Sequence, residues 1–177
     1  MRIVSGKYKG RLIKPPKKIK ARPTTDFAKE NLFNILETRI DFEDKEVLDL
    51  FAGTGNMSYE FVSRGCKSVI AIELNYPQVK FIKETANKME MPQLKVKKAE
   101  VFSFLASCSQ QYDIIFADPP YQMANIEKLP EVISQNKLLK PEGMFILEHS
   151  KQADLYTIHG FYENRNYGSV NFSFFSL

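Results

Sequence analysis

The chain has 177 residues, of which 44% are apolar and 26% charged, and this composition excludes wholesale disorder, a fibrous repeat and a disulfide-held scaffold. Its two cysteines, Cys66 and Cys108, lack metal or redox spacing, and two histidines are too few for a histidine-rich metal site. No apolar stretch approaches a membrane span, and the start lacks the apolar segment of a signal peptide. We expect a soluble, cytoplasmic and monomeric protein of one domain, with no membrane partner and no metal.

Positive charge is concentrated at the start of the chain. The net charge is +4, yet residues 1–22 hold nine basic residues and no acidic one, and the other 155 residues hold 16 basic and 21 acidic residues. A basic arm on a mildly acidic body is typical of proteins that bind a polyanion, because lysine and arginine release counterions from phosphates. A solvated tail and an anionic membrane surface are the alternatives, and no amphipathic helix supports the second.

Strand-like pieces at residues 2–4 and 11–13, with turn residues at Gly6 and Gly10, favour a folded hairpin that faces RNA. We therefore predict a small basic β-hairpin extension over residues 1–24 and a main domain over residues 25–177. The candidate RNA contacts are Lys7, Lys9, Arg11, Arg22 and Arg165.

The main domain alternates helices with apolar strands. A first helix is predicted over residues 25–36, where apolar residues recur at helical spacing after a capping threonine. Further helices are predicted at 56–64, 77–88, 101–106 and 126–135, and strands at 47–51, 68–73, 94–97, 112–118 and 144–148. Two last strands, at 160–167 and 169–175, predict a C-terminal antiparallel hairpin. The alternation predicts an α/β domain whose largely parallel sheet is covered on both faces.

A glycine turn follows the first strand of this domain. Asp49 lies four residues before Gly53, and Gly55 opens the next helix, so that the backbone can approach a ligand closely. Ligands of open α/β sheets bind at the carboxyl ends of the strands, where this turn lies. Glu73 ends the next strand, where an acid can accept hydrogen bonds from both hydroxyls of a ribose. These features together predict a nucleoside cofactor.

The residues around the turn narrow the choice of cofactor. Ser58 stands where a dinucleotide-binding turn requires glycine or alanine, and the lysine of a nucleotide triphosphate loop is absent. Asp49 suits a ligand that carries an amine rather than phosphates. We therefore favour S-adenosylmethionine over a nicotinamide dinucleotide and over a purely structural turn. Glu100, after the third strand, could contact the adenine amino group or simply begin a helix.

The tetrapeptide Asp118-Pro119-Pro120-Tyr121 follows the fourth strand and faces the same crevice. Proline has no N–H, so this turn offers carbonyl oxygens that only accept hydrogen bonds. A carboxylate and a proline carbonyl could hold the two hydrogens of an exocyclic NH2 group while Tyr121 stacks on the base. Positioning of the amine against the methyl donor would then supply most of the catalysis.

Taken together, these segments resemble the RsmD-type 16S ribosomal RNA guanine-N2 methyltransferases of bacteria. The resemblance covers essentially the whole chain and is carried by residues 2–11, Arg22-Pro-Thr-Thr25, residues 30–36, Asp49-Leu-Phe-Ala-Gly-Thr-Gly55, Ser63-Arg-Gly65, the Asp-Pro-Pro-Tyr tetrapeptide and Tyr167-Gly168. The departures are Asn56, Met57 and Ser58, where alanine, leucine and glycine are expected, and Glu100, where aspartate is common.

The resemblance implies a Rossmann-like, seven-stranded class I methyltransferase sheet. It also implies methyl transfer from S-adenosyl-L-methionine, with S-adenosyl-L-homocysteine as product, to N2 of a guanine-966-type site in 16S rRNA. The substrate would be the small ribosomal subunit or its assembly intermediate. The implied catalytic residues are Asp118, Pro119, Pro120 and Tyr121, and the implied donor-binding residues are Asp49, Phe51, Gly53, Thr54, Gly55, Asn56, Glu73, Leu74, Glu100 and Val101.

Two other functions stay open at the level of the residues. Adenine N6 in RNA or DNA offers the same NH2 group on a flat ring, so the tetrapeptide cannot separate it from guanine N2. The small size of the chain favours RNA, because a sequence-specific DNA enzyme needs extra surface to read and flip bases. A non-catalytic RNA-binding module is the third possibility, and the intact acids Asp49, Glu73 and Asp118 argue against it.

Overall fold

Seven strands form a single mixed sheet. The computed structural model describes residues 1–16, 19, 25–120, 122–150 and 155–177. The strands among these residues are β1 (Glu46–Leu50), β2 (Ser68–Glu73), β3 (Leu94–Lys98), β4 (Tyr112–Ala117), β5 (Leu139–His149), β6 (Phe161–Tyr167) and β7 (Val170–Phe175). Their order is β3-β2-β1-β4-β5-β7-β6, with β1 to β5 parallel and β7 antiparallel to both its neighbours. The strand order reverses between β1 and β4, which places a ligand crevice outside their carboxyl ends.

In the described part of the chain, five helices cover the sheet on both faces. They are α1 (Asp26–Arg39), α2 (Asn56–Ser63), α3 (Tyr76–Lys88), α4 (Val101–Ser107) and α5 (Lys128–Gln135). Apolar residues of α1, α2 and α3 pack on one face, and those of α4 and α5 pack on the other. No helix of the described residues is long and apolar enough to cross a membrane.

The predicted elements are present, and two of them extend three or more residues beyond one predicted end. Helix α1 begins where Thr25 caps it by accepting a hydrogen bond from the Ala28 N–H at 3.2 Å, and it continues three residues beyond Leu36. Strand β5 begins at Leu139 rather than at Met144, because a shift in its register with β4 absorbs the proline–glycine turn inside the strand. Glu142 takes a left-handed conformation there, with φ 63°.

The first 13 residues pack on α2. Arg2 and Leu12 form an antiparallel bridge, and Ile3 and Ile13 are buried. A Cβ atom on Gly6 would lie 1.8 Å from the carbonyl oxygen of Ser63, so that only glycine fits this contact. This start of the chain is thus a folded hairpin rather than a solvated tail. Residues 17, 18 and 20–24 lie outside the described residues, and the boundary at residue 24 stays a prediction.

Candidate active site

The turn after β1 presents its backbone to the crevice. Phe51, Gly53 and Gly55 all have positive φ angles, of 60°, 56° and 84°. A Cβ atom on Gly53 would meet only the Phe51 carbonyl oxygen, at 3.9 Å, whereas one on Gly55 would meet the ring of Tyr59 at 2.9 Å. The turn therefore rests on Tyr59 at its end, and at Gly53 it is open on the side where a ligand could approach.

Glu73 holds this turn in place from the end of β2. Its Oε2 atom accepts a hydrogen bond from the Gly53 N–H at 2.8 Å, and its Oε1 atom accepts one from the Asn75 N–H at 2.7 Å. Each carboxylate oxygen can accept a second hydrogen bond. The predicted contact with a ribose is therefore compatible with these two bonds, and it stays a prediction.

Asp49 lies buried beneath the same turn. Burial raises its pKa to about 7, the Ser58 hydroxyl opposes this by donating a hydrogen bond to the carboxylate, and the negative charges of Asp118 and Glu73 add to the increase. Ser58, which departs from the expected glycine, thus supplies the donor that Asp49 needs. A bound cation would favour the ionised carboxylate of Asp49.

Among the described residues, no cluster of acidic, histidine or cysteine side chains is arranged to hold a metal ion.

The end of β4 places the proline turn beside the glycine turn. The Asp118 N–H donates to the Leu50 carbonyl oxygen at 3.4 Å, which joins the carboxyl ends of β4 and β1. Asp118 is half-buried, Pro119 is buried and Pro120 is exposed. The Pro120 carbonyl oxygen accepts a hydrogen bond from the Met123 N–H at 2.8 Å. Tyr121, the last residue of the predicted tetrapeptide, lies outside the described residues.

The other predicted donor-binding residues lie around these turns. Glu100 caps α4, since its carboxylate accepts hydrogen bonds from the Phe102 and Ser103 N–H groups at 3.0 and 2.8 Å. Burial raises the pKa of Glu100, but these backbone donors outweigh it and lower the pKa overall. This geometry matches the helix-start interpretation, and the adenine contact stays a prediction. Thr54, Asn56 and Val101 are buried, whereas Leu74 is exposed.

A buried charge cluster, not predicted from the sequence, ties the arm to the glycine turn. Lys29 is fully buried, and its Nζ atom donates to the Arg2 carbonyl oxygen at 2.6 Å and to Asn56 Oδ1 at 2.9 Å. Glu60 Oε2 lies 3.4 Å from the same Nζ atom. Burial lowers the pKa of Lys29, and the charge of Glu60 opposes that effect. The sequence does indicate that Lys29 is buried, because Lys29 lies seven residues before Leu36 and therefore on the same buried stripe of α1.

Glu60 holds the arm by accepting hydrogen bonds from the backbone of the arm. Its two carboxylate oxygens accept hydrogen bonds from the Val4 N–H at 2.8 Å and the Ser5 N–H at 3.0 Å. Thr54 Oγ1 lies 3.6 Å from the sulfur of Met1. The arm therefore contacts both the glycine turn and the helix that follows it.

The predicted RNA contacts occupy two separate places. Lys7, Lys9 and Arg11 are exposed on the arm, and Lys7 Nζ lies 5.3 Å from the centre of the Tyr8 ring. Arg165 on β6 is exposed and pairs with Glu163 at 2.5 Å. Arg22 lies outside the described residues. A role for any of these side chains in RNA binding stays a prediction.

Comparisons with known proteins agree over nearly the whole chain. The family model described as "Conserved hypothetical protein 95" matches residues 1–176. Ribosomal RNA small subunit methyltransferase D of Haemophilus influenzae is 32% identical over 161 residues, which cover 89% of this chain and 82% of that protein. The solved structure of yhhF from Escherichia coli has a TM-score of 0.86 and 26% identity, and covers 99% of this chain and 96% of that one.

A solved structure of a hypothetical protein from Thermus thermophilus has a TM-score of 0.87 at 26% identity, covering 100% of this chain and 99% of that one. These likenesses confirm the predicted class I methyltransferase fold. Because the family model spans almost the whole chain and the resemblance read from its motifs points the same way, this chain belongs to that family, the RsmD family of methyltransferases.

Proposed function

We propose that this chain methylates N2 of a guanine-966-type site in 16S rRNA, using S-adenosylmethionine. The observation that carries the proposal is the joined end of β1 and β4, where Asp118 and the two prolines stand beside the turn of Gly53. The rRNA substrate is supported by relatives named Ribosomal RNA small subunit methyltransferase D. The substrate would be the small ribosomal subunit or an assembly intermediate, met in the cytoplasm.

The crevice suits a donor that carries positive charge. Asp49, Glu73 and Asp118 lie close enough that the charges of the latter two raise the pKa of Asp49. The space in front of Gly53 would let the backbone approach the donor, with Glu73 accepting from its ribose hydroxyls. When bound, the donor supplies a methyl carbon on a positively charged sulfur, which leaves as a neutral sulfide once the amine takes the methyl group.

Asp118 and a proline carbonyl would hold the acceptor amine. The Pro120 carbonyl accepts a hydrogen bond from Met123 and so has one lone pair fewer to offer, and we assign the second N–H of the amine to the Pro119 carbonyl. Two hydrogen bonds would fix the nitrogen with its lone pair aimed at the methyl carbon, which is catalysis by orientation. The carboxylate of Asp118 would also stabilise the positive charge on the nitrogen and take up its proton after transfer.

Mass mapping of ribosomal RNA nucleosides tests the reaction. Small-subunit particles from a strain that lacks this protein are incubated with the enzyme and S-adenosylmethionine, and the nucleosides are then identified. We expect one new N2-methylguanosine from the wild type and at least a hundredfold slower transfer from Asp118→Ala, since orientation and electrostatic terms together supply several kcal/mol.

The variant should still bind the donor, because Asp118 is assigned to the acceptor side. Calorimetric titration with S-adenosylhomocysteine provides that control. Appearance of N6-methyladenosine would instead support the adenine alternative, and full activity of Asp118→Ala would remove the role assigned to this residue.

A further inference from the structure

Two aromatic rings meet at the edge of the sheet where the crevice opens. Phe27, in the first turn of α1, and Tyr167, the last residue of β6, have ring centres 6.3 Å apart and planes at 82°. Phe27 remains 65% exposed despite this contact. A large apolar side chain that a fold leaves in solvent beside a ligand crevice often marks a contact surface.

The strand register locates this pair on the acceptor side of the crevice. Strand β6 runs parallel to β5, so Tyr167 lies at the same edge as the carboxyl ends of β4 and β5. Phe172 pairs with Glu148 on one side and with Arg165 on the other. Ala117, next to Asp118, pairs with Leu147 on β5. The aromatic pair therefore lies at the same edge of the sheet as the proline turn, on the β6 side of that turn, with β5 and β7 between them.

The ring of Phe27 is not needed for the packing of α1. The buried residues of that helix are Ala28, Lys29, Leu32, Phe33 and Leu36, and they form the stripe that faces the sheet. Phe27 lies outside this stripe. Its exposed ring is therefore available to a ligand without disturbance of the core.

The charge pattern indicates what kind of partner meets these rings. The nine basic residues of positions 1–22 precede Phe27 in the sequence, and Arg165 is exposed on the strand that Tyr167 ends. Tyr167 is half-buried, with its ring centre 6.2 Å from that of Phe172, so it supports the more exposed ring of Phe27. Basic side chains together with an exposed aromatic ring are a combination that binds single-stranded nucleic acid, through phosphate contacts and stacking on bases. An acidic protein surface would use the charges but would not need the rings.

We propose that Phe27 and Tyr167 form a stacking platform for an unpaired RNA base that neighbours the methylated nucleotide. This inference rests on the proposed function, because that function supplies the RNA that the platform would bind. It would hold the strand on the acceptor side while the proline turn takes the target base. Stacking tolerates any base, so the platform contributes affinity and position rather than sequence choice.

Phe27→Ala and Tyr167→Ala test the platform in one binding assay and one kinetic assay. The first measures the fluorescence anisotropy of labelled oligoadenylate at several salt concentrations, and the second measures KM and kcat with unmethylated small-subunit particles. We expect each variant to weaken oligoadenylate binding and to raise KM about tenfold, with kcat and donor affinity unchanged. The dependence of affinity on salt should not change, because no charge is removed.

Tyr162→Ala is the matched control, since this tyrosine of β6 is 48% exposed but lies near the opposite end of the strand. It should bind oligoadenylate like the wild type. Thermal unfolding shows whether each variant is folded, and Tyr167→Phe, which keeps the ring, should restore binding. Unchanged affinity in Phe27→Ala, or an equal loss in Tyr162→Ala, would overturn the platform. If particles accept no methyl group at all, the proposed function fails, and the oligoadenylate assay still decides the platform.

Discussion

At the scale of single residues, the acid beneath the glycine turn determines how the site responds to pH. Asp49 is buried, and its pKa is raised to about 7 by that burial and by the charges of Asp118 and Glu73, against the hydrogen bond from Ser58. In the unfolded chain the carboxyl ionises near its ordinary value of 3.8. The folded state therefore binds more protons between these two values, and its stability falls as the pH rises through that range. Above the folded pKa this contribution is constant.

A cationic donor bound as we propose would reverse this preference, because it would stabilise the ionised carboxylate of Asp49. We expect the affinity for S-adenosylhomocysteine, whose amine is positively charged, to be about tenfold weaker at pH 6 than at pH 8, since the ionised fraction of a group with a pKa near 7 changes by that factor. Calorimetric titrations across this range measure it. Asp49→Asn should bind weakly with a much flatter pH profile, and a profile as steep as that of the wild type would contradict the assignment.

The contrast between Asp49 and Lys29 shows what could be predicted about single residues. Asp49, Gly53, Glu73 and Asp118 lie at strand ends, and the topology of a parallel sheet brings those ends to one edge, so the sequence was sufficient to group them. The partners of Lys29 come from the arm and from α2, which are distant in the chain. Local patterns carry no information about such contacts, even though the position of the lysine on a buried stripe is visible.

At the scale of elements, the arm is attached to two side chains of α2, Glu60 and Ser63, and Ser63 Oγ accepts a hydrogen bond from the Tyr8 N–H at 3.0 Å. Glu60 is fully buried, accepts hydrogen bonds from two backbone N–H groups of the arm, and lies within ion-pair distance of Lys29 and Arg64. A buried charge is tolerated when its partners satisfy it in this way. Because α2 begins directly after the glycine turn, we expect any loss of this attachment to disturb the proposed donor site as well.

Glu60→Gln tests the attachment. The amide would leave Lys29 without its buried counter-charge, and we expect a loss of about 3–5 kcal/mol in the free energy of unfolding, measured with denaturant. Hydrogen exchange at the Val4 and Ser5 amides should become faster, while exchange at amides of the sheet changes less. Glu84→Gln on α3 is the matched control, because this exposed acid pairs only loosely with Lys80, at 3.7 Å, and should change stability by less than about 0.5 kcal/mol. Equal effects of both substitutions would show that Glu60 does not hold the arm.

The elements themselves were more predictable than their attachment. The number and order of strands followed from apolar runs that alternate with helical spacing, since that alternation permits few topologies. The start of β5 was missed because Pro141 and Gly143 are typical of a turn, and only the pairing with β4 shows that the strand continues through a shift in register. Such a shift is a property of two strands and cannot be read from one.

At the scale of the whole molecule, positive charge is concentrated in the arm. The arm carries the excess of basic residues, while the rest of the chain is acidic overall. The structure holds the arm against α2 through its backbone, which leaves Lys7, Lys9 and Arg11 exposed. An RNA particle should therefore be attracted to the side of the molecule that carries the arm rather than to the whole surface.

Replacing Lys7, Lys9 and Arg11 together with glutamine tests this division. Each phosphate contact that is lost removes about 0.7–0.9 from the slope of log affinity against log salt concentration, so we expect the slope for small-subunit particles to fall by about two to three. Donor affinity should remain unchanged. The matched control replaces Lys80, Lys83 and Lys88, which are exposed on α3 and carry the same total charge. If the control lowers the slope as much as the arm variant does, the attraction is a property of net charge, and the arm is not the surface that meets RNA.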